Sequence, residues 1–181
     1  MSATDIIRAL ARSPYFRGIS TDVLHSIAMH MSLQPMVAGE VLSTRLQPSE
    51  AVWLIADGRV EVRRLQGYKG RRVEVPVSIL KPGMFFGHVG LLSEQPRTAT
   101  WVASSPGLLL RLDRKPFERL LADPRMTGSA FRRAMILALG SQLQAVNSRL
   151  NDFIANPEAE VATRKELLRD AMESVDRVGQ D

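Results

Sequence analysis

The sequence predicts a mainly β domain with flanking helices, and three features carry that expectation. Across 39–112, short apolar or alternating runs recur at roughly ten-residue spacing between turn residues, as the strands of a sandwich or barrel do. On either side of that block the apolar residues change to helical spacing. Ser13-Pro14, Asp123-Pro124 and Asn156-Pro157 then cut the helical parts into separate segments.

Taken in order, residues 4–12 read as a first helix that ends at Ser13-Pro14. Ser20 stands where an N-cap would, with Asp22 in the first turn. The helix it opens carries Val23, Leu24, Ile27, Ala28 and Met31 on one stripe. Residues 1–36 are therefore expected to be an N-terminal helical segment. His25 and His30 lie five apart and share no helical face, which argues against a metal pair.

The β region is expected over 37–124. Gly39-Glu40-Val41-Leu42 opens it, and 51–55 is a continuous apolar run of the kind buried on both faces. Arg59-Val60-Glu61-Val62-Arg63 alternates polar and apolar, residues 66–70 are the expected hairpin turn, and 71–80 the returning strand. Lys81-Pro82-Gly83 is a further turn. Asp113 is placed to cap a short helix with Pro116 in its first turn.

The stretch from 85 to 100, FFGHVGLLSEQPRTAT, has an order that packing alone does not explain. Gly87 follows two aromatics and precedes a short helical run, 89–92. A helix start there points unpaired N–H groups outward, where they attract a phosphate or another anion. Pro96 stops the run, and Arg97 begins an alternating strand at a corner from which a guanidinium can reach that anion. Alone, Arg97 reads more readily as a solvated turn residue.

The order Phe86-Gly87, then Pro96-Arg97-Thr98-Ala99-Thr100, resembles the phosphate-binding cassette of cyclic nucleotide-binding domains. That family includes the catabolite activator protein, the regulatory subunit of cAMP-dependent protein kinase and cyclic-nucleotide-gated channels. Gly39-Glu40, Ile55 with Gly58, Val60 and Val62, and Pro82-Gly83 resemble its other landmarks in the same order. The resemblance implies a jelly-roll β-barrel with N-terminal helices and long C-terminal helices. It also implies a cassette in which Gly87, His88, Val89, Arg97, Thr98 and Ala99 contact the phosphate and ribose of cAMP or cGMP. Thr98 is compatible with either base, with a lean to cAMP, and no other cofactor is expected.

Two positions depart from the family. Leu46-Gln47 replaces a tight Gly-Asp turn, and a loop of different geometry is expected there. His88 stands where the family has a Glu that accepts from the ribose 2′-hydroxyl. Losing that bond removes roughly 1.5–3 kcal/mol, or about ten- to a hundredfold in affinity. Losing the arginine from a desolvated charge pair costs about 2–5 kcal/mol, so the stronger determinant is the one retained. His88 leaves three roles open: a hydrogen bond to the hydroxyl, a pH-dependent cation, or the mark of a pocket that has lost cyclic nucleotides or taken up another ligand.

In the helix expected over 125–155, Ile136, Leu139, Leu143, Val146, Leu150 and Phe153 are spaced three, four, three, four, three. That is an a/d seam, too short to hold a coiled coil alone, which either joins two subunits or packs on its own barrel. By resemblance to the catabolite activator family it is a homodimer seam. The resemblance also lets the helix close over the base, with Ser141 or Gln142 as the contact across the dimer. Residues 156–181 are a last, acidic helix or tail of net charge −3, leaving +8 on the remainder. Its Val161, Leu168, Ala171, Val175 and Val178 repeat at similar spacing. Arg63, Arg64, Lys69, Arg71 and Arg72 make the hairpin the most basic stretch, either a charged edge that resists strand pairing or a dock for an acidic partner such as this tail.

The absence of cysteine excludes disulfides and thiolate metal sites. There is no signal-like start and no long apolar span, so a cytoplasmic protein without membrane contact is expected. No nucleophile–base pair or phosphate loop points to an enzyme, and no recognition-helix pattern points to sequence-specific DNA binding. The expected function is a cyclic nucleotide-binding regulatory sensor whose C-terminal helices move on ligand binding and signal to a protein partner. The alternative is the same fold without nucleotide, serving as a dimerisation module.

Overall fold

The computed structural model describes residues 3–68 and 70–178. Helix α1 (Ala3–Arg12), a single 3₁₀ turn (Pro14–Phe16) and helix α2 (Thr21–Ala28) lead into the strands. These are β1 (Ser32–Met36), β2 (Val41–Ser43), β3 (Ala51–Asp57), β4 (Val60–Tyr68), β5 (Arg71–Leu80) and β6 (Phe85–Phe86). Helix α3 (His88–Leu92) intervenes before β7 (Thr100–Ala103) and β8 (Gly107–Asp113), and α4 (Arg114–Ala122), α5 (Met126–Ala155) and α6 (Pro157–Val178) complete the chain. The strands form two four-stranded antiparallel sheets, ordered β1-β8-β3-β6 and β2-β7-β4-β5, a jelly roll flanked by helices.

Strand β3 explains why 51–55 is apolar throughout. Alternate side chains point to opposite faces, and both faces of this strand are covered. Ala51, Trp53 and Ile55 face the interior between the sheets with Val60, Phe86, Trp101 and Leu109. Val52 and Leu54 face the helices, meeting Leu10, Phe16, Ile27 and Phe131 in a second core. Each such side chain contributes about 1.5–3 kcal/mol by leaving water, so the helical layer is as much a part of this domain as the sandwich.

Several local expectations change. Ser32–Met36, at the end of the segment expected to be helical, is a strand paired with β8 from Ser32↔Arg111 to Met36↔Gly107. It lies on the sheet edge, where Pro35 is tolerated. Ser20 and Asp113 occupy N-cap positions, but neither side chain caps; Asp113 instead accepts from Arg111 Nε at 2.8 Å. The hairpin turn is tighter than 66–70, because Gln66 and Gly67 stay in the ladder and Tyr68 pairs with Arg71. Lys69 lies outside the described residues, and Gly70 takes a left-handed φ of 76°.

Helix α5 has two halves. Phe131, Ala134, Met135 and Ala138 are buried in the helical core, and Ala130 is buried beside them in the chain. The seam residues Ile136, Leu139, Leu143, Val146, Leu150 and Phe153 are exposed by 37% to 68%, so this stripe does not pack on its own barrel. Helix α6 turns back onto β5, with Leu168 buried against Val73 and Val75 and with Ala171 and Met172 beside it. Arg164 Nε donates to Gln66 Oε1 at 3.0 Å. The tail does lie on the hairpin, then, around an apolar centre. Val161 is exposed, whereas Val175 and Val178 lie beyond the described side chains and Asp181 beyond the described residues. Among the described residues no helix is long and apolar enough to cross a membrane.

Candidate functional site

The cassette is built around Gly87, which turns the chain from β6 into α3 with φ at 84°. A Cβ there would stand 2.5 Å from Arg97 Nη1 and 3.1 Å from the Ala51 carbonyl oxygen. Both the backbone conformation and the close approach require glycine. Gly90 is similarly confined, since a Cβ would meet Ser49 Oγ at 2.1 Å, and that hydroxyl donates to the Gln95 carbonyl at 2.9 Å to hold the loop after α3.

Arg97 is 2% exposed. Its Nη1 donates to the Gly87 carbonyl at 2.7 Å, and its Nη2 donates to the Ala51 carbonyl in a short bond. The guanidinium carbon stands 5.1 Å from the Trp53 ring centre and 5.5 Å from that of Trp101, so the cation lies between two indoles. Burial, then Arg114, pulls its pKa down to about 10, with the charge kept at neutral pH. The altered turn at 46–47 clamps its backbone: Arg97 N donates to the Gln47 carbonyl at 3.0 Å, and Leu46 N to the Arg97 carbonyl at 2.9 Å. Leu46 itself takes a left-handed φ of 70°, and Gln47 Oε1 accepts from Thr44 N and Ser43 Oγ. The loop of different geometry therefore positions the arginine.

His88 is also buried, its ring edge-on to Phe85 at 6.4 Å. Burial, helped by the charge of Arg97, pushes its pKa down to about 4. The imidazole is neutral at physiological pH, which removes the role of added cation there. Among the described residues, the buried side-chain nitrogens and oxygens without a hydrogen-bond partner are His88 Nδ1, His88 Nε2 and Arg97 Nε. All three are in the cassette.

The other expected residues divide. Ala99 is buried in the inter-sheet core, while Val89 and Thr98 are exposed. Thr98 opens onto a groove of about 460 Å³ lined by Arg45, Arg64, Gln66, Gly67 and Arg72. Ser141 is half-buried and Gln142 exposed, past the buried half of α5, and among the described residues no hydrogen bond joins either to the cassette. The residues that sequence reasoning missed are the aromatics around Arg97. Trp53 and Phe86 stack at 5.1 Å, and Trp101 follows at 5.8 Å from Phe86. Their signal was the two-residue period, which puts Arg97, Ala99, Trp101 and Ala103 on one face.

The sandwich, the glycine turn and the buried arginine define a jelly roll of the cyclic nucleotide-binding class. The chain belongs to the cyclic nucleotide-binding domain family, whose model matches residues 33–123. The HTH-type transcriptional regulator Cmr of Mycobacterium tuberculosis is 30% identical over 136 residues, which cover 75% of this chain and 52% of that protein. The cGMP-dependent protein kinase egl-4 of Caenorhabditis briggsae is 31% identical over 122 residues, covering 66% of this chain and 16% of the kinase. This chain thus spans about half of one relative and a sixth of the other. A cyclic nucleotide-binding domain from Methylobacillus flagellatus has the same fold at a TM-score of 0.71, with 21% identity and 83% of each chain covered.

Proposed function

We propose that this chain is a regulatory cyclic nucleotide-binding module whose cassette takes the cyclic phosphate between the backbone of 87–89 and Arg97. The observation that carries this reading is the clustering of His88 Nδ1, His88 Nε2 and Arg97 Nε, buried without partners. Native interiors leave few such groups, and each costs about 1–3 kcal/mol. A phosphate accepts from the arginine, and a neutral imidazole offers one donor and one acceptor to a ribose hydroxyl. Arg97 now rests on two neutral carbonyls. A phosphate offers it charge-assisted bonds roughly twice as strong. Exchanging one set of acceptors for the other is the two-state step that a ligand biases.

In this reading the exposed seam of α5 joins two copies, Ser141 or Gln142 of a second copy reaches the base, and the C-terminal helices carry the change to a protein partner. Titration calorimetry with cAMP and with cGMP tests it. Saturable binding is expected with at least one of them, lost in Arg97→Ala and strengthened roughly tenfold or more in His88→Glu. No heat with either nucleotide, even in His88→Glu, would sink it.

One observation favours a second reading, the same fold as a dimerisation module without nucleotide. Trp53, Phe86 and Trp101 wall in the guanidinium, and two carbonyls already satisfy its amino groups. In that case Arg97→Ala destabilises the fold without any binding to lose.

A further inference from the structure

The β4–β5 hairpin runs on past the sandwich, and register fixes which face it shows there. Side chains alternate along a strand, so Val60, Val62, Arg64 and Gln66 leave β4 on one side. Val60 belongs to the inter-sheet core and Val62 packs against it, which makes that side the inward one. Across the ladder Arg64 pairs with Val75 and Gln66 with Val73, so both valines of β5 face inward too. Strand β7 makes its last pair at Thr100 with Arg63, and from Arg64 onward the hairpin continues alone. What covers its inward face is α6. Leu168 is buried on Val73 and Val75 with Ala171 and Met172 beside it, and Arg164 Nε donates to Gln66 Oε1 at 3.0 Å. These four residues of α6 fall on one face of the helix, and Leu168 is the one described side chain of α6 that is buried.

Arg97 lies on the same inward side, since its guanidinium stands between Trp53 and Trp101, and Trp101 pairs with Val62. Behind it Trp53, Phe86 and Trp101 are buried and packed ring against ring, which leaves a ligand anchored on Arg97 no room deeper between the sheets. Sideways, the inward surface continues over Arg64 and Gln66 on β4 to Val73 and Val75 on β5. Neighbouring strands lie about 4.8 Å apart, so the two valines stand roughly 10 Å across the sheet from the line of β7, within reach of a nucleoside attached to a phosphate on Arg97. We infer that α6 is a shutter on this site: docked on the hairpin, it occupies the surface onto which the nucleoside of a cassette-bound ligand extends, so that docking of α6 and binding of the ligand exclude one another. This rests on the cassette reading for the phosphate, whereas the seat of α6 is defined by its own residues. The shutter lowers the apparent affinity by the fraction of molecules in which α6 is docked, and the ligand in turn sets α6 free.

The test is titration calorimetry with cAMP and with cGMP on the full-length wild type, Leu168→Ala, Leu168→Asp and Leu168→Asp with Arg97→Ala, joined to amide exchange of the wild type with and without saturating nucleotide. Leu168→Asp is expected to bind about tenfold or more tightly than the wild type, the weight of one buried leucine in the docking equilibrium. Leu168→Ala is expected to fall between the two, and nucleotide to speed exchange across α6 of the wild type. Affinity that is unchanged or weaker in both Leu168 variants overturns the shutter and leaves the cassette reading standing. Slower exchange in α6 on binding also overturns it, because that is how a helix closing over the ligand behaves. If Leu168→Asp loses protection in β3 and β8, Leu168→Ala and the wild-type exchange decide between the same outcomes. Tight binding kept when Arg97→Ala is added to Leu168→Asp retains the shutter and overturns the cassette reading, and no binding by any of the four proteins overturns both.

Discussion

At the scale of single residues, the cassette combines one cation with one neutral ring in an interior that suits neither. Arg97 keeps its charge because carbonyls and indole faces replace water around it. His88 has no such compensation and stays neutral. Its pKa, lowered from 6.5 to about 4, has a stability consequence with a definite sign. Between those values the unfolded chain binds the proton and the folded chain does not, so the group's contribution is intact above pH 6.5 and is lost as pH falls toward 4. The ring is 3% exposed, so little solvent screening applies, and the full shift corresponds to about 3 kcal/mol. Urea unfolding of the wild type and His88→Gln at pH 7.5 and pH 4.5 measures it. The wild type should lose about 2–3 kcal/mol more than the variant on acidification, and equal losses would show that the ring protonates freely in the fold.

At the scale of elements, legibility followed how local the cause was. The glycine turn into α3, the turn at Lys81-Pro82-Gly83 and the two-faced run of β3 depend on neighbours in sequence, and each was readable. Strand β1 was not, because Pro35 looks like a breaker until the sheet order puts that strand on an edge. Nor was the clamp on Arg97 by residues 46–47, which joins backbone groups about fifty positions apart. Helix α5 shows both cases. Its a/d spacing was plain, but only the burial pattern separates the stripe that covers the helical core from the stripe left outside. In the proposed reading this exposed apolar row joins two copies, as its heptad spacing would allow. Sedimentation of the wild type should give a dimer and Leu143→Glu with Leu150→Glu a monomer of unchanged melting temperature. A wild type that is monomeric at high micromolar concentration would remove the seam from the proposal.

At the scale of the whole molecule, three apolar clusters are arranged with unequal weight. The inter-sheet core and the helical core share β3 and β8, whose opposite faces serve one each, so those two stand or fall together. The third cluster, Leu168 on Val73 and Val75, lies away from both on the far edge strand of its sheet. Helix α6 is attached there through this small apolar patch, with the Arg164 bond to Gln66, a residue that also lines the basic groove, among its polar contacts. In the proposed reading α6 is a movable output helix, and an element packed apart from the main core is expected to open without it. Leu168→Asp should therefore speed amide exchange across α6 and the outer half of β5 by about tenfold or more, from the loss of one buried side chain on the order of 1.5–3 kcal/mol. Exchange in β3 and β8 should stay as in the wild type. If protection in β3 falls with that of α6, the helix belongs to the cooperative core and cannot act as a separately movable element.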